Sequence, residues 1–249
     1  MVNKMIETKA QIIKEADEYL VRPQLHEFVE ANPKFLRMGE SVEVELISPK
    51  HEYSDYEKEL VHASIITWNE KDYDNFMKFT KKIRKEIMLK AIKNYRLRQF
   101  LENFRIVIRI SNIPRYMTHQ IVRHRRMSFS QEGFRSSDVR MHGVRIPECY
   151  GQNEIEDYKK SVKSSFDCYA KMVDSGIPFE EARSVLPMGL LTSIIMSCDL
   201  DALIGYLQWR ADKNGGAQEE HIFIANKIIE EIKEKDEFAY EILNLFLKF

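Results

Sequence analysis

The hydrophobic positions of this chain change their period several times, and each change marks an element. Ile6, Ile12, Ile13, Ala16 and Leu20 recur near helical spacing, which predicts an amphipathic helix over residues 4–20, broken afterwards by Pro23 and Pro33. Val42 to Ile47 alternates and predicts a strand closed by Ser48-Pro49. Helical spacing returns over Asp55–Asn69 and Asp72–Lys93, the second with a lysine-rich outer face. Phe104 to Ile110 is the clearest strand. Ile113 to Arg125 reverts to helical spacing through Met117, Ile121 and His124, with Pro114 tolerated in a first turn.

Met127 to Pro147 holds no period for long and predicts an irregular segment with strand pieces. Asn153–Ser175 predicts a helix stopped at Gly176, and Pro178–Val185 a short one ended by Pro187. Leu190–Ser197 predicts a strand. Asp199 then caps a helix that buries Leu200, Leu203, Ile204 and Leu207 and ends at Trp209-Arg210-Ala211-Asp212, before a flexible Lys213–Gly216. Helices over Ala217–Glu234 and Glu237–Phe249 complete the chain. The fold class is α+β: a mixed or antiparallel sheet flanked by helices, with residues 1–40 as a helical extension to one domain over residues 41–249.

Composition narrows the function classes. Apolar residues at 44% and charged residues at 31% describe an ordinary globular protein, and a formal charge of -1 argues against a general nucleic-acid coat. The three cysteines (Cys149, Cys168, Cys198) are widely spaced and form no metal-ligand pattern, so no metal site is expected and a reducing cytoplasm is. The N-terminus has no apolar run before a cleavage site, and nowhere do 18 apolar residues run together, so neither a signal peptide nor a membrane span is expected.

Charge is distributed unevenly. Between Arg115 and Arg145 stand seven arginines (115, 123, 125, 126, 135, 140, 145), no lysine, and two acids, Glu132 and Asp138. Guanidinium groups fork onto phosphate or carboxylate with two parallel bonds and stay charged, so this stretch reads as the wall of a phosphate-bearing ligand site. Seven uncompensated guanidinium groups repel one another unless an anion or partner acids intervene. On a helix, consecutive residues point about 100° apart. Arg123, His124 and Arg125 therefore either follow the end of a helix or serve different ligands or subunits.

Gln120-x-x-Arg123-His124-Arg125-x-x-Ser128, with Arg135 seven residues later, resembles the signature of flavin-dependent thymidylate synthases. Downstream, Ala182-Arg183-x-x-Leu186-Pro187 is similar to a second family segment, and Arg210-Ala211-Asp212 and Ala217-Gln218-x-Glu220 to a third and fourth. The resemblance runs from about Val42 to Glu234.

It implies a homotetramer with FAD and nucleotide bound where subunits meet, converting dUMP to dTMP with a methylene group from methylenetetrahydrofolate and reducing power from NADPH. Gln120, Arg123, Gln131, Arg135, Arg183 and Arg210 would hold the nucleotide. Thr67, Arg123, His124, Arg125, Asp199 and Asn214 would lie along the flavin. Arg210 would be catalytic, stabilising negative charge on the uracil ring as its C5 becomes nucleophilic, with no protein nucleophile required.

Several positions depart from the family pattern. Ser130-Gln131-Glu132-Gly133-Phe134-Arg135 stands in place of Asn-Glu-x-Ser-Gly-Arg, Glu102-Asn103 in place of Glu-His, and Thr67-Trp68 in place of Ser-Phe. The family's Asn-x-Arg-x-x-x-Asn, whose side chains meet FAD, is Asp199, Asp201 and Gly205 here, and a usual histidine is Asn214. Two acids at those places repel a pyrophosphate at close range.

Two other classes compete. One is a nucleotide-binding homologue acting on another pyrimidine nucleotide or lacking transferase activity. The other is a single-stranded nucleic-acid binder stacking bases on Tyr116, Phe129 and Phe134. Residue by residue there are also structural readings: Arg210 as a helix C-terminal charge, Arg183 as a partner of Glu180 or Glu181, His124 as a core histidine, His119 as a surface one, and Tyr206 and Trp209 as packing residues.

Overall fold

Strand β3 (Arg105–Pro114) is the spine of the larger of two compact units. The computed structural model describes residues 30–68, 73–94, 97–213 and 216–247, with 63–68 as backbone alone. The helix expected over residues 4–20 lies outside them. The described residues of the larger unit fall within 36–132, 145–149 and 188–247, and those of the smaller within 30–35, 133–144 and 150–187.

In the larger unit, β2 (Glu43–Leu46), β3, β6 (Leu191–Asp199) and β4 (Ser128–Gln131) form a four-stranded antiparallel sheet in the order β2-β3-β6-β4. Ile106, Ile108 and Ile110 alternate onto the buried face of β3, and Ile194, Met196 and Cys198 onto that of β6. The register shifts between Ile110 and Ile113, where Asn112 takes a φ of 58°. Asparagine adopts that left-handed conformation more readily than most residues, and here its Nδ2 is held by a long-range bond, donating to the Ser41 carbonyl at 3.0 Å. This bulge explains a difference from the sequence reading. The strand resumes after it, pairing Ile113 with Thr192 and Pro114 with Leu191, so α5 starts only at Arg115 and ends at Ile121.

Helices α8 (Leu200–Arg210), α9 (Glu219–Lys235) and α10 (Glu237–Phe246) cover the sheet. Asp199 caps α8 as expected, its Oδ1 accepting from Ala202 N at 2.7 Å. On α9, His221, Ile224, Ala225, Ile228 and Ile232 form one buried stripe. Of the N-terminal helices, α1 (Met38–Ser41) was not anticipated, and α2 spans Tyr53–Trp68. The helix expected over Asp72–Lys93 is two, α3 (Tyr73–Met77) and α4 (Lys81–Asn94). Between them the Phe79 carbonyl accepts from Arg84 Nη1 rather than from a helical amide. A 3-10 helix over Leu97–Asn103 was also not anticipated.

In the smaller unit, the long helix α6 (Gln152–Asp174) buries Ile155, Val162, Phe166, Tyr169 and Ala170. α7 (Phe179–Ala182) runs into a 3-10 turn at Arg183–Val185. Two strand pieces, β1 (Lys34–Leu36) and β5 (Gly143–Arg145), pair as a two-stranded sheet. Among the described residues no helix is long and apolar enough to cross a membrane.

Candidate active site

The arginine-rich stretch leaves α5 through a tight turn. Arg123 N donates to Gln120 O at 3.3 Å and His124 N to Ile121 O at 3.1 Å, the closer i to i+3 spacing that ends a helix. Of the two sequence readings of the Arg-His-Arg triplet, the helix end is the one observed. Arg123 and Arg125 point into solvent, and among the described residues neither has a side-chain hydrogen bond or ion pair. His124 turns inward, half-buried, and Arg126 folds back onto acids.

His124 meets the C-terminus of α8. Arg210 Nε donates to His124 Nε2 at 3.2 Å, and the His124 ring stands edge-on to Tyr206, with centroids 4.9 Å apart. Behind them, His221 on α9 shares a 3.0 Å hydrogen bond between its Nε2 and the Tyr206 hydroxyl, while its Nδ1 is buried without a partner. Burial, and then the Arg210 charge, push the His124 imidazole below its ordinary range. Burial, Arg210 and His124 together lower His221 to about 3. Burial pushes the Tyr206 hydroxyl up. Tyr206 is thus the packing residue expected, whereas Trp209 is 70% exposed and is not.

Gln120 Nε2 donates to Gln218 Oε1 at 2.7 Å, joining the first signature to the one that opens α9. Gln131 on β4 donates to Thr118 Oγ1 at 3.0 Å. The two acids at the altered positions are not left free. Asp201 accepts from Arg98 Nε and, at 2.6 Å, from Arg126 Nη1; Asp199 takes Arg126 Nη2 at 3.4 Å besides capping α8. The repulsion that these carboxylates would exert on a nearby anion is offset by two guanidinium groups.

Four of the seven arginines, Arg126, Arg135, Arg140 and Arg145, are compensated by acids, against the expectation from the sequence. Arg145 pairs with Glu220 at 2.8 Å, Arg140 with Asp138 and Asp174 at 2.7 and 2.9 Å, and Arg135 with Glu180 at 2.9 Å. Most of these acids come from α6, α7, α8 and α9, far along the chain, so a window over the stretch cannot count them. Arg140 and Arg145 are buried and belong to the framework, not to a ligand wall.

In the smaller unit, Arg135 and Arg183 converge on Glu180. Arg135 grips its carboxylate through Nε and Nη2, and Arg183 Nε takes its backbone carbonyl at 3.1 Å, so neither side-chain pairing considered for Arg183 forms. Arg135 is exposed, and the terminal nitrogens of Arg183 have no partner among the described residues. The Thr67 side chain and Asn214 lie outside the described residues. The stacking platform proposed for nucleic acid is not present: Phe134 is buried, Phe129 packs against the core, and the Tyr116 hydroxyl bonds Glu220 at 2.8 Å.

Residues 50–236 match the family described as "Thymidylate synthase complementing protein". The chain belongs to this family. Its relatives include the flavin-dependent thymidylate synthase of Thermococcus onnurineus, 29% identical over 181 residues, which cover 70% of this chain and 73% of that one. The enzyme of the same name from Saccharolobus solfataricus is 33% identical over 135 residues, 53% of this chain and 51% of that one. Among solved structures, the UMP/dUMP methylase PolB from Streptomyces cacaoi, bound with 5-Br dUMP, superposes with a TM-score of 0.70 over 86% of this chain and 97% of that one. At 18% identity that likeness concerns the fold, which it shares with this α+β family member.

Proposed function

We propose that the chain methylates dUMP at C5 to give dTMP, taking a methylene group from methylenetetrahydrofolate and reducing equivalents from NADPH, with FAD as cofactor. The observation that carries this is the Arg210–His124 contact. It fixes a guanidinium that has no acid partner among the described residues beside a turn bearing two more, Arg123 and Arg125. Three arginines with no acid partner among the described residues suit an anion, and the relatives that carry the name flavin-dependent thymidylate synthase support reading it as a nucleotide or flavin phosphate.

Arg210 then acts as a fixed cation beside the uracil ring, where it lowers the cost of negative charge as C5 becomes nucleophilic. Gln120, Gln131, Arg135 and Arg183 hold the nucleotide in this reading. Arg123, His124 and Arg125, together with Thr67, Asp199 and Asn214, would hold the flavin. The donor set fits FAD: the exposed Arg123 and Arg125 suit its pyrophosphate, and Asp199 and Asp201 are already taken by Arg126 and Arg98. When bound, FAD supplies the redox chemistry.

Residues 41–249 carry this activity and 1–40 extend it. The active form is a cytoplasmic homotetramer in which FAD and nucleotide lie between subunits. The test is turnover: protein, FAD, NADPH and methylenetetrahydrofolate should form dTMP from dUMP. NADPH oxidation without product, or no dUMP dependence, would favour the non-methylating nucleotide-binding alternative, which the altered flavin-side residues motivate.

A further inference from the structure

We propose that His124 is a positioning residue that aims Arg210, and that protonation of His124 releases the arginine and weakens nucleotide binding in acid. The inference rests on Arg210 contacting the nucleotide, as proposed above.

A guanidinium has five N–H donors and no acceptor. The nitrogen that receives Arg210 Nε, His124 Nε2 at 3.2 Å, must therefore carry a lone pair, which fixes the imidazole as the neutral tautomer with its proton on Nδ1. With Nε engaged, the two terminal nitrogens of Arg210 are left to fork onto a ligand. Adding a proton to His124 sets donor against donor and cation against cation, and the contact has to open.

The surroundings put the added proton on His124 rather than elsewhere. The groups that face it are Arg210 and Tyr206 from α8 and His221 from α9, with Arg123 and Arg125 flanking it on its own turn. Among the described residues no carboxylate pairs with it. His221 is fully buried with its Nε2 taken up by Tyr206, so it stays neutral, whereas His124 is half-exposed and within reach of solvent protons. Burial and Arg210 lower the His124 pKa, so the release falls on the acid side of its ordinary value.

The experiment compares dUMP affinity, by equilibrium dialysis of the full chain, between about pH 8 and about pH 5 in the wild type, His124→Gln and His124→Leu, with circular dichroism confirming the fold at each pH. Glutamine keeps an acceptor where Nε2 lies and cannot take the proton; leucine removes it. At pH 8 the glutamine variant should bind within about threefold of wild type and the leucine variant at least about tenfold more weakly. As pH falls below the ordinary histidine range, wild type should lose affinity relative to the glutamine variant, approaching about tenfold per pH unit below the His124 midpoint. Because dUMP's own phosphate titrates near the same range, the ratio between proteins is the readout. Parallel profiles, or a glutamine variant as weak as the leucine variant at pH 8, overturn the inference alone. No dUMP binding by wild type at any pH overturns the nucleotide reading and the inference with it.

Discussion

Arg145 and Glu220 form a buried ion pair, 1% and 8% exposed, with Arg145 Nε donating to Glu220 Oε1 at 2.8 Å. The rest of the guanidinium is also satisfied, by the Leu36 and Asn112 carbonyls and the Ser41 hydroxyl. Glu220 receives the Tyr116 hydroxyl as well. One arginine thus ties the β3 bulge to the start of α9, the helix that also carries His221.

Removing one member of such a pair leaves the other charged and desolvated. Arg145→Met should cost about 3–5 kcal/mol, read as a lower urea midpoint with unchanged slope. A loss below about 1 kcal/mol would return Arg145 to the ligand-binding residues.

Arg135 makes the opposite prediction. Its bond to Glu180 is at the surface, so Arg135→Ala should change stability by less than about 1 kcal/mol. In the proposed role it contacts the nucleotide phosphate, and the same variant should weaken dUMP binding by about tenfold or more. Equal affinity in calorimetry would remove Arg135 from the site.

His221 sets an acid limit on stability. Its folded pKa is lowered to about 3, so the unfolded chain binds more protons below the ordinary histidine value. Its contribution is complete above about pH 6.5 and is lost as pH falls toward 3. Between pH 7 and 4 wild type should lose on the order of 3 kcal/mol that His221→Phe does not. Matching pH–stability curves for the two proteins would contradict the assignment.

Burial raises the Asp201 pKa, but hydrogen bonds from Arg98 and Arg126 outweigh it and hold the carboxyl below its ordinary value. Its stabilisation is therefore complete above about pH 4 and is lost as pH falls through the folded value. Asp201→Asn should cost roughly 1–2 kcal/mol at pH 7, since Arg126 is more than half exposed, and the gap to wild type should close in acid. A gap independent of pH would mean that packing, not charge, is lost.

Much of this was legible in the sequence where the signal is local. The alternation of Phe104–Ile110, the Asp199 cap and the helix over Ala217–Glu234 each depend on neighbours within a few residues. The bulge at Asn112 was not legible, because a single left-handed residue leaves the apolar period intact. The apolar period alone therefore starts the helix two residues early, at Ile113 rather than Arg115. Partnership was least legible of all. Arg126, Arg135 and Arg145 read as uncompensated because the acids Asp201, Glu180 and Glu220 lie 45 to 75 residues away along the chain, and Arg140 gains Asp174 from 34 residues away besides its neighbour Asp138. His221 carried no signal; only the packing of α9 against Tyr206 brings it behind His124.

A visible absorption spectrum of the purified protein with FAD, before and after dUMP, tests the flavin and nucleotide site most directly. The prediction is a protein-bound flavin band that dUMP perturbs, with the perturbation lost in Arg210→Ala. A colourless protein that neither retains added FAD nor responds to dUMP would contradict it.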